Sequence, residues 1–217
     1  MLAHKEHDVL TRKKSPMQRG FTVVEMMVAV AILGLMLLVA MPSIGTWLAN
    51  IRIRNTAESL QNGLQLARNE AVRRNQSISF YLVALTDPTA MSNTCTLSDT
   101  SGSWVVSVES PANKCGTAPS STTSPKIVAA RAAGGNGGSS VVKALHDAAT
   151  VSNVVTFNGF GRVTNTTTGI TSIQVLGPDA DTNSTIYRPL NITVSNAGAV
   201  RMCDPSTNLP STDPRRC

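Results

Sequence analysis

Residues 13–42 read KKSPMQRGFTVVEMMVAVAILGLMLLVAMP, and this stretch decides how the rest of the chain is organised. Basic residues and Gly20 precede about twenty apolar residues that begin at Phe21, which is the length of a bilayer-spanning helix. Glu25 is the only ionisable side chain between Phe21 and Met41. Because an unpartnered carboxylate is costly at hydrocarbon depth, we predict a transmembrane helix in which Glu25 has a specific role. The alternative is an ordinary signal anchor with a stray glutamate.

The order Arg19-Gly20-Phe21, with Glu25 four residues further on, resembles the type III signal of type IV pilins and type II secretion pseudopilins. In that family a prepilin peptidase cuts after the glycine, and the new N-terminal phenylalanine is N-methylated. The resemblance implies cleavage between Gly20 and Phe21, methylation of Phe21, and an assembly role for Glu25. In lipid, its carboxylate would neutralise the N-terminal amine of a neighbouring subunit. The expected partners are therefore the peptidase, the inner membrane and other pilin or pseudopilin subunits.

The charge distribution predicts where each part of the chain lies. The chain carries 19 Lys and Arg against 13 Asp and Glu, and five of those basic residues precede Phe21 with only two acidic ones. The remaining positive excess is mild and does not by itself indicate nucleic acid binding. Basic residues before an apolar segment stay cytoplasmic, so everything after Pro42 is expected to be exported. We predict a single-pass protein of the bacterial inner membrane with a periplasmic globular domain, at the cell surface once assembled.

The chain divides into four predicted segments. The resemblance implies a leader (1–20) and a transmembrane and assembly helix (21–42), and the spacing of apolar residues predicts an amphipathic continuation (43–75) and a β-rich globular domain (76–217). The continuation has apolar residues at three- to four-residue steps with one longer gap: Ile44, Leu48, Ile51, Leu60, Leu64, Ala67 and Ala71. Strands are predicted at 78–85, 104–109, 126–132, 151–157, 160–163, 170–176, 187–194 and 199–202, with a glycine-rich hairpin tip at 134–138. The predicted fold class is α+β, with the long helix packed on a mainly antiparallel sheet or sandwich.

The four cysteines all lie beyond the predicted membrane crossing, in an oxidising compartment. Four cysteines allow three pairings, and we favour pairing of neighbours, Cys95 with Cys115 and Cys203 with Cys217. Cys217 as a free terminal thiol is the alternative.

Catalysis and metal binding have little support in the sequence. The predicted exported part holds a single histidine, His146, and no Cys-x-x-Cys motif, so we expect no metal site and no cofactor. Asp179 and Asp181 lie beside Pro178 in a polar stretch typical of a turn. We expect the chain to be a substrate of enzymes rather than an enzyme.

Among pilin-like proteins, the chain resembles the GspH/FimT family in Gly102-Ser103-Trp104, in Phe157-Asn158-Gly159-Phe160-Gly161 and in a final Gly-x-Val-Arg-x-Cys run that begins at Gly198. FimT-like minor pilins carry a C-terminal Gly-Arg-x-Arg motif whose arginines bind DNA during natural transformation.

In this chain Arg201 keeps the second arginine of that motif, and Ala199 replaces the first. Arg215 and Arg216 adjoin Cys217, so a bridge to Cys203 would bring them towards Arg201. The resemblance implies non-specific binding of double-stranded DNA by Arg201, Arg215 and Arg216, with three phosphate contacts giving weak, salt-sensitive affinity. The alternatives are arginines that only solubilise the tail, and a GspH-like pseudopilin of a type II secretion system that needs no DNA.

Overall fold

The computed structural model describes residues 20–134, 140–207 and 209–217. Within these ranges one helix and nine strands follow in chain order: α1 Val23–Arg74, β1 Ile78–Ala84, β2 Thr96–Leu97, β3 Trp104–Ser107, β4 Ile127–Arg131, β5 Val141–Leu145, β6 Val154–Phe157, β7 Ser172–Leu176, β8 Leu190–Val194 and β9 Val200–Cys203. The chain divides into two compact units, Met1–Pro42 and Ser43–Cys217. Residues 1–19 of the predicted leader and most of the glycine-rich tip lie outside the described residues.

In the first unit, the described side chains of α1 are exposed and almost all apolar. Val23, Val24 and Met27 are among the most exposed of them. No helix in the described ranges combines the length and the apolar character that a membrane span requires.

In the second unit, one face of α1 enters the core. Six apolar residues at alternating steps of four and three are fully buried: Ile53, Ala57, Leu60, Leu64, Ala67 and Ala71. They form one cluster with apolar side chains from both sheets, including Phe80 of β1 and Ile192 of β8. The predicted α+β class, a helix packed on antiparallel sheets, is therefore confirmed.

The first half of the apolar stripe was predicted on the buried face of the helix, and this prediction was wrong. Ile44 and Leu48 are exposed, whereas Ala49 and Ile53 are buried. At about 100° per residue, Ile51 lies roughly half a turn away from Leu60. The long gap in the pattern therefore marked a change of face, and a second apolar stripe lies on the outside of the helix.

Two antiparallel sheets cover the helix. In the first, the order is β2-β1-β3-β4 and β6 also pairs with β1; in the second, it is β5-β7-β8-β9. On the outer side of the first sheet a small second core surrounds the Cys95–Cys115 disulfide and includes Val83, Val105 and Ile127. The second disulfide joins Cys203 to Cys217, so the structure has the neighbour pairing that we favoured.

The strands differ from the predicted ones in number and in several of their bounds. β5 and the short β2 were missed, although Val142 and Ala144 of β5 alternate with the exposed Lys143. The strand predicted at 160–163 is instead a turn, joined to β6 only by an isolated bridge between Phe157 and Val163. β8 begins three residues later than predicted, after Pro189, whose ring nitrogen has no hydrogen to donate to a ladder.

Candidate functional site

The start of α1 holds the residues predicted for processing and assembly. Gly20, Phe21 and Thr22 precede the helix, and Phe21 is 78 % exposed. The Glu25 amide donates a hydrogen bond to the Thr22 hydroxyl at 3.2 Å, so Thr22 is the N-cap and Glu25 the third helical residue. Gly20 and Phe21 are both exposed. A carboxylate in the first turn is favoured by the helix dipole.

Arg201 lies on β9, one of the two edge strands of the second sheet. Val200 and Met202 on either side of it pack against the core, so its side chain points away from the core and is exposed. Its partner across the ladder is Thr193 of β8. Within the described ranges, no side chain pairs with its guanidinium. Ala199, two residues earlier, is also exposed.

Gly198 fixes the turn that leads into β9. Its φ is +82°, and a Cβ atom there would lie 1.8 Å from the carbonyl oxygen of Gly161. That carbonyl accepts a hydrogen bond from Nε of Arg68 on α1 at 3.1 Å. Gly198, the first residue of the Gly-Arg-x-Arg position, thus packs the β8–β9 turn against Gly161, which Arg68 ties to the helix. Arg201 lies three residues after this fixed turn.

The C-terminal tail returns beside the end of β9. The Asp204 amide donates to the Arg215 carbonyl at 2.6 Å, and the Cys217 amide donates to the Asp204 carbonyl at 3.0 Å. Together with the Cys203–Cys217 bridge, these bonds place the backbone of Arg215 and Arg216 beside Asp204, which follows Arg201 by three residues.

The two tail arginines are engaged by the tail itself. Arg215 donates to both carboxylate oxygens of Asp213, at 3.0 and 2.7 Å. These bonds, with one from the Arg215 amide, lower the pKa of Asp213 to about 2. Arg216 is half-buried and donates to the Leu209 carbonyl at 3.2 Å. Of the three predicted DNA-binding arginines, Arg201 alone has a side chain without a described partner.

Sequence reasoning missed a groove of about 1050 Å³ in the second unit that Arg215 shares with Arg54, Arg188 and the exposed Trp47. Arg54 is paired with Glu58 at 2.9 Å, whereas in the described part of the chain nothing pairs with the Arg188 side chain. Arg188 and Pro189 lie just before β8, and no local pattern of the sequence marks Arg188 as a groove residue.

The described residues hold no group of three or more His, Cys, Asp or Glu side chains able to bind a metal ion. His146 is held through Nδ1 by the Gly169 carbonyl at 2.8 Å.

Comparison with known proteins gives two family matches. Residues 56–198 match the family described as type II transport protein GspH, and residues 15–41 match the prokaryotic N-terminal methylation motif. None of the curated proteins matches the chain.

Among solved structures, the chain is similar to the type IV minor pilin FimU of Pseudomonas aeruginosa strain PAO1. The match to one crystal form has 17 % identity and a TM-score of 0.45, and covers 76 % of this chain and 94 % of that one. The match to a second crystal form has 17 % identity and a TM-score of 0.41, and covers 76 % and 98 %.

Proposed function

Since the chain belongs to the GspH family and carries the prokaryotic N-terminal methylation motif, we propose that it is a minor pilin of a type IV pilus that binds extracellular DNA non-specifically. In this role it is incorporated in the fibre or primes its assembly. The DNA contact is the face around Arg201, and the purpose of binding is uptake during natural transformation.

The first step of this function is processing at the membrane. The peptidase cuts between Gly20 and Phe21, Phe21 is methylated, and α1 is anchored in the inner membrane with the second unit on the periplasmic side. Glu25 then neutralises the amine of the next subunit. The exposed bond after Gly20 and the position of Glu25 in the first helical turn support this step. The chain acts here as a substrate and a structural subunit, not as an enzyme.

Assembly with other subunits draws support from exposed apolar surface. The outer stripe of the second unit includes Ile44, Trp47 and Leu48, which are 57 %, 65 % and 40 % exposed. Large apolar side chains that are exposed together on one helix face commonly mark an interaction surface. Burial against neighbouring subunits would remove them from water.

The observation that carries the DNA proposal is the free guanidinium of Arg201 on the outer face of the second sheet. An arginine held on a strand, without an acidic partner, is available to bind a phosphate in a planar, bidentate way. One such contact per subunit gives only weak affinity for DNA. Tighter binding then requires several copies of the subunit, or partner pilins, that contact the same DNA molecule.

Binding of the full-length chain in zwitterionic detergent micelles to duplex DNA, measured across a salt series, tests this proposal. Arg201→Ala is expected to lower affinity roughly fivefold, the value of one exposed charge contact, and to reduce the salt slope by about 1. Ala199→Arg, which restores the motif at an exposed position, is expected to raise affinity. Arg131→Ala, at an exposed position of β4 in the other sheet, is the matched control. Equal effects of Arg201→Ala and Arg131→Ala would contradict the proposal.

The second candidate is a GspH-like pseudopilin of a type II secretion system, favoured by the description of the matched family as a type II transport protein. It predicts no salt-dependent DNA binding, and a loss of protein secretion when the chain is deleted. Deletion that abolishes transformation but leaves secretion intact would exclude it.

A further inference from the structure

A tight loop at 158–162 lies beside the turn that carries Gly198. The loop is closed by a hydrogen bond from the Asn158 amide to the Arg162 carbonyl at 2.9 Å, and by one from the Gly161 amide to the Asn158 carbonyl at 2.8 Å. The Asn158 side-chain oxygen accepts from the amides of Phe160 and Arg162 at 3.0 and 3.1 Å. Four hydrogen bonds therefore fix a loop of five residues.

The rest of the fold holds this loop from two sides. A Cβ atom at Gly159 would lie 2.3 Å from the side-chain oxygen of Asn75 at the end of α1, and one at Gly161 would lie 3.1 Å from Arg68. The Val163 amide donates to the Asn196 carbonyl in the β8–β9 turn at 3.1 Å. The loop is consequently seated against both the helix and the turn that leads to Arg201.

Phe160 lies at the centre of this loop, and it is 84 % exposed. The aromatic pair found among the described residues is Phe80 with Trp104, in the core, so Phe160 has no ring partner there. A large apolar ring that is rigidly displayed to water contributes little to the stability of the chain itself.

The surroundings of Phe160 are basic. Arg162, on the same loop, is exposed, and within the described ranges its guanidinium has no partner. Arg201 follows Gly198 by three residues of extended chain, roughly 10 Å. Neither the loop 158–162 nor the turn 195–199 contains an acidic residue. The loop that carries Phe160 therefore bears one unpaired guanidinium, and the strand that leaves the adjoining turn bears a second.

We propose that Phe160, Arg162 and Arg201 form a binding site for single-stranded DNA, in which an unpaired base stacks on Phe160 and the two arginines hold the flanking phosphates. Stacking of bases on aromatic side chains beside basic groups is how proteins bind single strands without reading sequence. In an intact duplex the base faces are covered by their neighbours and cannot take this position. The inference rests on the DNA-binding function proposed above and specifies the form of the ligand.

The test compares the full-length chain in zwitterionic detergent with a fluorescent oligothymidine and with a duplex that has the same number of phosphates. The wild-type chain should bind the oligothymidine more tightly. Phe160→Ala should weaken oligothymidine binding about 5-fold to 100-fold, the range for loss of one stacked base, and change duplex binding less than about twofold. Phe160→Tyr keeps a ring and should bind like the wild type.

Ile186→Ala is the matched control, because Ile186 is a large apolar residue that is 60 % exposed on a different loop. It should leave both affinities unchanged. An unchanged far-ultraviolet circular dichroism spectrum and melting temperature would show that each variant is folded.

Three outcomes would overturn the inference, and they differ in what they imply. Binding of neither DNA form would overturn the proposed function together with the inference. Duplex binding that depends on Arg201, without any effect of Phe160→Ala on the oligothymidine, would overturn the inference alone. Unchanged DNA binding with loss of fibre incorporation in Phe160→Ala would identify Phe160 as a contact between subunits instead.

Discussion

Gly198→Ala is expected to destabilise the second unit much more than the same change at Gly134. Both glycines have almost the same backbone conformation, with φ of +82° and +83°. A side chain in this region costs about 1–2 kcal/mol. At Gly198 the new Cβ atom would also lie 1.8 Å from the Gly161 carbonyl oxygen, a backbone atom, whereas at Gly134 no atom of the described residues lies within 4 Å. Overpacking of this kind adds about 1–3 kcal/mol.

The expected losses are therefore about 2–5 kcal/mol for Gly198→Ala, from strain and overpacking together, and about 1–2 kcal/mol for Gly134→Ala, from strain alone. Urea unfolding followed by tryptophan fluorescence measures both, because Trp104 is buried in the core. One kcal/mol moves the urea midpoint by roughly 0.3–1 M. The affinity for DNA should also fall in Gly198→Ala, because the turn positions β9 and therefore Arg201. Equal midpoints for the two variants would refute the claim that contact with Gly161 fixes the turn.

Three further predictions concern other parts of the chain. Glu25→Ala should be processed normally but fail to enter the fibre, because the buried amine loses its partner; immunoblots of membranes and sheared fibres check this, and normal amounts in the fibre would contradict it. Cys203→Ser should lower the free energy of unfolding by about 3 kcal/mol, the value for a bridge that closes some 15 residues, and an unchanged urea midpoint would count against it. The pKa of Asp213 lies at about 2 in the folded chain, so its pairing with Arg215 contributes stability above the unfolded pKa near 4 and loses it as pH falls through 2; carboxyl chemical shifts that titrate near pH 4 would show that the pair does not form.

The long helix and the mainly antiparallel character of the domain could be predicted because both rest on local spacing. Leu60, Leu64, Ala67 and Ala71 repeat at helical steps and are all buried. The sequence could not show that the apolar residues before them lie on the opposite face of the helix. The spacing breaks between Ile51 and Leu60, and across such a break it does not tell which face the earlier residues occupy. β5 escaped prediction because Val141–Leu145 is short and contains Lys143 and Ala144, two residues uncommon in strands.

The candidate site was predictable in part for the same reason. The tail arginines lie beside Asp204, three residues after Arg201, because Cys203 pairs with Cys217, and this was the pairing that we favoured among the three that four cysteines allow. The role of Gly161 was not predictable, because its contact is with Gly198, far along the sequence. The pairing of Arg215 with Asp213 is local, and the Asp-Pro-Arg order at 213–215 carried a signal for it that the motif-based reasoning did not use.

The central claim, that the chain is a processed pilin subunit, is tested most directly by intact mass spectrometry of the protein recovered from host membranes and sheared fibres. The account predicts a chain that begins at Phe21 and carries one additional methyl group on its N-terminal amine. A chain that still begins at Met1 in both fractions would contradict it.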